Sequence, residues 1–308
     1  MIDEEFSASS SFNDSGDVRR KDQLILNNLA TINPLTDKAF KIALADENFF
    51  RLVTKEILGR DVDDGVINYN GEITFTVHGK KIIPDVLVNT PREWVDIEGQ
   101  QKTPDFPFER HLYYWAMIYA NSLNATMKYA DLLPVTVIVI YNEKGRNSSL
   151  IEHARLDGAL AVKSQARGHL NLISVDSSKW RDASSNALRT YLALLHHGLL
   201  VDYKPELFEE IDFSAPESRL VHTILKSACA KSLLELSEET GDVSMIDKYK
   251  SFLTEEQETA AREAGKIEGK IEGKIELLYR ELNQSSEEIS TRLNIEEDVV
   301  KKIIKTMS

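Results

Sequence analysis

The run LLPVTVIVIY, residues 132–141, constrains the fold of this chain of 308 residues more than any other segment. It is almost continuously apolar and rich in β-branched side chains, which is typical of a strand buried on both faces. As a helix it is too short to cross a membrane, because a span requires about 18 to 20 apolar residues. A strand of this kind needs a covering layer on each side, so we expect an α/β layer fold.

The segments around this run predict the other elements of the layers. From Asn33, NPLTDKAFKIALADENFFRLVTKEILG has the pattern of two helices or one bent helix, with Thr36 as a cap and Gly59 at the end. INYNGEITFTVHGKKIIPDVLV predicts two strands around an HGK turn, and PREWVDIEGQ predicts a third. FERHLYYWAMIYANSLN has helical spacing, and ARGHLNLISVD and NALRTYLALLHHGLL predict a later strand and helix.

Composition excludes several classes of protein. A net charge of -13 argues against a protein that coats nucleic acid with a broad basic surface, although not against a nuclease that binds divalent cations. The single cysteine, Cys229, excludes an internal disulfide and a cysteine-rich zinc site. The start, MIDEEFSASS, lacks the pattern of a secretory signal, so we expect a cytoplasmic protein with no membrane partner.

Shifts in composition divide the chain into four predicted parts. Residues 1–23 are acidic and rich in serine, which predicts a disordered tail. Residues 24–204 carry the α/β pattern, and residues 205–258 read as an acidic helical extension. Residues 259–308 form a distinct end with its own repeat.

The repeat KIEGKIEGKIE places Ile267, Ile271 and Ile275 one helical turn apart, which predicts a stripe for homo-oligomerisation. SSEEISTRLNIEEDVVKKII then predicts two short helices, the first opened by a capping box at 285–288, in a helix-turn-helix-like unit. Acidic residues begin the second helix, where they would repel the phosphates of DNA. Dimerisation or regulation is therefore at least as compatible with this unit as recognition of DNA.

The stretch PDVLVNTPREWVDIEGQQK carries the polar groups that suggest chemistry. Asp85 begins one predicted strand, and Asp96, Glu98 and Gln100 alternate along the next, so these three share one face. Two carboxylates from adjacent strands suit Mg²⁺ or Mn²⁺, with Gln100 orienting water or a phosphate oxygen. We interpret Asp96 as a solvated or strand-edge charge. A plain solvated sheet face is the alternative interpretation of the whole pattern.

Histidines offer weaker signals. His196 and His197 point about 100° apart on a helix and do not form a metal site together. His78 falls in the HGK turn, where we expect it to be exposed, and His111 is a candidate for a side chain that faces the cleft.

Several segments in order resemble the PD-(D/E)XK nuclease superfamily, and more narrowly its Rpn branch of recombination-promoting nucleases and transposase-like proteins. They are NPLTDKAFK, IIPDVLV, VDIEGQ, FERHLYYWAMIYANSL and YADLLPVTVIVIY, which together cover roughly residues 31–145. The resemblance implies a restriction-endonuclease-like three-layer core with a mixed central sheet, here followed by a helical C-terminal extension. It also implies Mg²⁺-dependent hydrolysis of DNA.

The resemblance assigns catalytic roles to residues of this chain. Asp85 and Glu98 become the metal-binding carboxylates, with the backbone carbonyl of Gly99 as a third ligand. Gln100 occupies the place usually held by the superfamily's lysine, and Asp37 is a polar position of the first helix.

Three basic residues are the candidates for contact with phosphate. Lys41 lies one turn after Asp37 on the same face, and Arg110 lies on the helix that follows the strand. Lys102 would share a face with Gln100 if the strand continued to it, although Pro104 is close enough to end the strand first.

Two departures from the family pattern allow a second interpretation of the function. Glutamine cannot supply the cation that lysine supplies, and Gly99 stands where relatives carry a larger apolar residue, which predicts a looser strand. A catalytically weak or inactive nuclease-fold interaction protein is therefore the alternative to an endonuclease. A two-carboxylate glycosidase has only the carboxylates in its favour.

Overall fold

The structure is a computed structural model. It describes residues 23–25, 27–29, 32–62, 66–68, 81–105, 107–123, 126–144, 146–155, 169–201, 204–241, 246–282, 284–293 and 295–306. The predicted N-terminal tail up to residue 22, the HGK turn and His78 lie outside the described residues.

Six strands within the described ranges form a mixed sheet at the centre of the molecule. Its strands are β1 Val66–Asn68, β2 Val86–Asn89, β3 Trp94–Gln100, β4 Val135–Tyr141, β5 Ile151–Arg155 and β6 Leu170–Asp176. The spatial order is β1-β2-β3-β4-β6-β5, in which β3, β4 and β6 run parallel and the outer pairs run antiparallel.

Helices cover both faces of this sheet and continue beyond it. They are α1 Asp37–Leu44, α2 Glu47–Leu58, α3 Pro107–Asn121, α4 Asn186–His197, α5 Pro216–Thr240, α6 Ile246–Glu276, α7 Ser286–Leu293 and α8 Glu297–Thr306. The larger core lies between the sheet and α1, α2, α4 and α5, and a smaller core lies under α3 on the opposite face. The predicted α/β core with a mixed sheet and a helical C-terminal part is confirmed.

The apolar run at 132–141 has the predicted role in these layers. Every residue of β4 is buried. Ile138 and Ile140 pack into the larger core, whereas Val137 and Val139 pack into the smaller one, because successive side chains point to opposite faces.

Local signals at the first two helices are partly as predicted. Gly59 ends α2 in the left-handed conformation, with φ of 67°. Asp46 caps the start of α2 by accepting a hydrogen bond from the backbone N–H of Phe49 at 2.9 Å. Thr36 stands at the cap position of α1, but its hydroxyl makes no capping hydrogen bond.

The C-terminal helices build a small core of their own. Ile275, Leu278, Ile289 and Val300 are buried together, and Ile271 packs against them. The capping box is present, since Ser285 and Glu288 each accept a hydrogen bond from the other's backbone N–H. Ile271 and Ile275 of the isoleucine stripe thus pack against other helices of the same chain. Homo-oligomerisation remains a prediction. No helix in the described ranges is both long and apolar enough to span a bilayer.

Candidate functional site

Asp85 and Glu98 lie directly beside each other at one end of the β2–β3 pair. The antiparallel register places Val86 opposite Ile97, which brings the residue before Val86 next to the residue after Ile97. The backbone N–H of Asp85 donates to Glu98 Oε1 at 2.9 Å, and the backbone N–H of Gly99 donates to Asp85 Oδ2 at 2.9 Å. Each carboxylate is therefore held by the strand that carries the other.

Both carboxylates are shielded from water, and this changes their proton affinity. Burial, followed by the charge of Asp85, raises the pKa of Glu98 to about 8. Burial also raises the pKa of Asp85, against the opposing effects of the Gly99 N–H and the ammonium of Lys41. Two adjacent carboxylates with raised pKa values form an oxygen donor set that a divalent cation would stabilise in its charged form.

The protein ligands available here are few. In the described part of the chain, no group of three or more His, Cys, Asp or Glu side chains is arranged to hold a metal ion. Asp85 and Glu98 nevertheless fit a hard cation that keeps several waters, because Mg²⁺ is commonly held by one or two carboxylates. The backbone carbonyl of Gly99 is the third ligand that the family pattern implies.

Helix α1 brings Lys41 to this pair of carboxylates. Its Nζ lies 2.7 Å from Asp37 Oδ1 and 3.5 Å from Asp85 Oδ1. The Lys41 side chain is 11% exposed, whereas that of Asp37 is 71% exposed. Burial lowers the pKa of Lys41, but the carboxylates of Asp37 and Asp85 outweigh burial and raise the pKa above its usual value. The ammonium is thus charged and held at the edge of the site.

Gly99 has a packing role that explains its presence. It lies within β3, paired with Ile140 of β4. A Cβ atom at this position would lie 3.0 Å from Leu35 Cδ1 and 3.3 Å from two ring atoms of Phe40. The glycine therefore lets the start of α1 approach the strand closely, and β3 continues regularly through it rather than loosening.

Gln100, Lys102 and Arg110 have different relations to the site. Gln100 ends β3, is half-buried, and pairs with Tyr141. Because β3 stops there, the condition for Lys102 to share its face is not met, and Lys102 is exposed beyond the strand. Arg110 is exposed on α3, and its charge lowers the pKa of Glu98, which places it near the carboxylates.

Asp96 corrects one sequence-based interpretation. It is 0% exposed, and neither carboxylate oxygen has a hydrogen-bond partner among the described residues. It lies between Leu87 and Val137 on the face covered by α3, so it is neither solvated nor at a strand edge. Burial, then the charges of Glu98 and Asp85, raise its pKa well above the usual value.

His111 is also buried on this face, at 3% exposure. Its ring lies edge-on to Tyr114 and Tyr141, with centroids 6.0 and 6.1 Å away. The sequence made His111 a candidate for a side chain that faces the cleft, and the structure places it on α3 beside Tyr141 at the end of β4.

Comparisons with known proteins agree with this arrangement. Residues 55–169 match the family model described as PD-(D/E)XK nuclease family transposase. The matched segment contains Asp85, Glu98 and Gln100 and runs from the end of α2 to the residue before β6. No curated protein and no solved structure matches the chain. The resemblance predicted from the order of motifs is confirmed for residues 55–169, which are similar to the PD-(D/E)XK nuclease family transposases.

Proposed function

We propose that the protein is a metal-dependent endonuclease that hydrolyses phosphodiester bonds in DNA. The observation that carries the proposal is the pairing of Asp85 with Glu98, two shielded carboxylates on adjacent strands of the segment that matches a nuclease family. PD-(D/E)XK nucleases generally use divalent metals. A role in DNA recombination is also proposed, and it rests only on the similarity to this family.

Asp85, Glu98 and the carbonyl of Gly99 would hold Mg²⁺ or Mn²⁺. When bound, such an ion lowers the pKa of water and neutralises charge on a phosphodiester under attack. The carboxylates bind protons and cation in competition, since the pKa of Glu98 is about 8 without the ion.

The remaining polar residues orient water or phosphate near these carboxylates, or they neutralise negative charge there. Lys41 provides the ammonium that Gln100 cannot provide, at 3.5 Å from Asp85, and Asp37 holds that ammonium in place. Gln100 shares the face of Glu98 and positions water or a phosphate oxygen through its amide. Arg110, exposed on α3, neutralises the phosphate backbone as it approaches.

The test is Mg²⁺-dependent nicking of supercoiled plasmid by purified Asp85→Asn and Glu98→Gln variants. Both should lose nicking by a factor of about 100 or more, because each removes a ligand charge. Asp105→Asn and Glu109→Gln are matched controls, since both residues are exposed, and they should nick like the unmodified protein. Unchanged nicking by the Asp85→Asn/Glu98→Gln double variant would exclude the proposal.

The second candidate is a nuclease-fold interaction protein without catalysis. The observation in its favour is Gln100, which leaves β3 without an ammonium at the end that carries Glu98. Calorimetric titration separates the two: an active site binds Mn²⁺ and loses that binding in Asp85→Asn, whereas a scaffold shows no heat that depends on Asp85.

A further inference from the structure

A cavity of about 180 Å³ lies on the α3 face of the sheet. The first turn of α3, the end of β4, and strands β5 and β6 line it. Val139 and Tyr141 line it, and they pair directly with Glu98 and Gln100 on β3. The cavity is therefore one strand away from the proposed site of hydrolysis.

Two polar side chains of this cavity have atoms that lack partners. Both ring nitrogens of His111 are buried and make no hydrogen bond to any described residue. Burial, then the charges of Arg110 and Arg146, lower the pKa of His111 to about 4, so its neutral ring offers one donor and one acceptor. The Nε of Arg146 is likewise buried without a partner within the described ranges, while its guanidinium stacks over Tyr141 at 4.9 Å.

The walls of the cavity are mainly apolar. Phe108, Ala154 and Leu172 contribute to them, and Phe108 is 51% exposed. Glu152 also lines the cavity, and the Ser148 hydroxyl and backbone N–H lower its pKa, so this carboxylate stays charged. A free anion is disfavoured by that charge and by the apolar walls.

We propose that this cavity receives one unpaired nucleobase of the DNA strand whose phosphodiester lies at Asp85 and Glu98. A base matches the site because it has an apolar planar face for Phe108 and a polar edge for His111 and Arg146. The volume equals roughly six waters, which is enough for one ring system and too small for a whole nucleotide. This subsite rests on the proposed nuclease function and adds a preference for single-stranded or locally opened DNA.

Fluorescence anisotropy tests the subsite without cleavage. Two labelled strands of about 12 nucleotides are compared in buffer with EDTA, one carrying thymine bases and the other abasic at every position. The unmodified protein should bind the base-bearing strand about tenfold more tightly, as expected for one stacked and hydrogen-bonded base. Phe108→Ala and Arg146→Met should each reduce that ratio of affinities to about one. Most of the change should come from weaker binding of the base-bearing strand, and the affinity for the abasic strand should fall by a smaller factor.

Arg181→Met is the matched control, because Arg181 stacks over Trp180 at 4.2 Å as Arg146 stacks over Tyr141. It should keep the tenfold ratio. Equal binding of both strands by the unmodified protein, or a ratio untouched by Phe108→Ala and Arg146→Met, would overturn the subsite. Plasmid nicking by Asp85 and Glu98 variants is measured separately, so loss of one proposal does not remove the other.

Discussion

Replacement of Glu98 by glutamine should change how the stability of the protein depends on pH. In the folded protein the pKa of Glu98 is about 8, against 4.5 for an ordinary glutamate. Between these two values the folded state keeps a proton that the unfolded state has released. The free energy of unfolding therefore falls as pH rises from about 4.5 to about 8. Below and above this window, Glu98 does not make the free energy of unfolding depend on pH.

The size of the effect follows from the shift. A change from 4.5 to about 8 corresponds to roughly 5 kcal/mol of unfolding free energy, as an upper value for a group so nearly buried. The raised pKa values of Asp85 and Asp96 act in the same direction. Glu98→Gln removes its own contribution, and it also removes a charge that raises the pKa of Asp96.

Urea unfolding followed by circular dichroism at pH 5.5 and pH 8.5, in EDTA, measures the difference. The unmodified protein should lose several kcal/mol between the two conditions, and Glu98→Gln should lose much less. Added Mg²⁺ should restore stability at pH 8.5 in the unmodified protein, since it binds the charged carboxylates of the folded state. The exposed Glu109→Gln serves as control. Equal pH dependence in Glu98→Gln and the unmodified protein would refute the reasoning.

Two further substitutions address the packing around the site. Asp96→Leu should raise the free energy of unfolding at pH 8 by about 1 to 3 kcal/mol in urea titrations, because it replaces a buried carboxyl that lacks described partners; a loss of stability would contradict this. Gly99→Val should lower the free energy of unfolding by about 1 to 3 kcal/mol, since its Cβ would lie 3.0 Å from Leu35. The same change should reduce nicking by moving α1 away, and normal stability with normal nicking would contradict that account.

Patterns within a single strand carried most of the successful predictions. The burial of β4 follows from its own apolar run, and the pairing of Asp85 with Glu98 follows from alternation in two neighbouring strands. β5 was not predicted, because its sequence, IEHAR, is short and half-polar, as suits an antiparallel edge strand.

The sequence did not reveal which element packs against each strand. Asp96 is hidden because α3 covers its face, and no local pattern in β3 carries that information. Lys41 reaches Asp85 because α1 packs on β3 at a position far away in sequence, with Gly99 making room. The sequence named both Lys41 and Lys102 as candidates for contact with phosphate and could not choose between them, since contacts between layers cannot be read from spacing.

We proposed that Lys41 on α1 supplies the ammonium that the superfamily's lysine supplies from the strand. This proposal can be tested by returning the ammonium to β3. Lys41→Met should lower the rate of plasmid nicking by a factor of about 100, the usual scale for removing one electrostatic stabiliser. Gln100 shares the face of Glu98 at the end of β3, so Gln100→Lys in the Lys41→Met background should restore nicking at least about tenfold. Gln101→Lys in the same background is the control, because Gln101 is exposed, lies beyond the strand, and should restore nothing. Equal recovery from both lysines, or full nicking by Lys41→Met alone, would mean that the position of the ammonium beside Asp85 does not determine the rate.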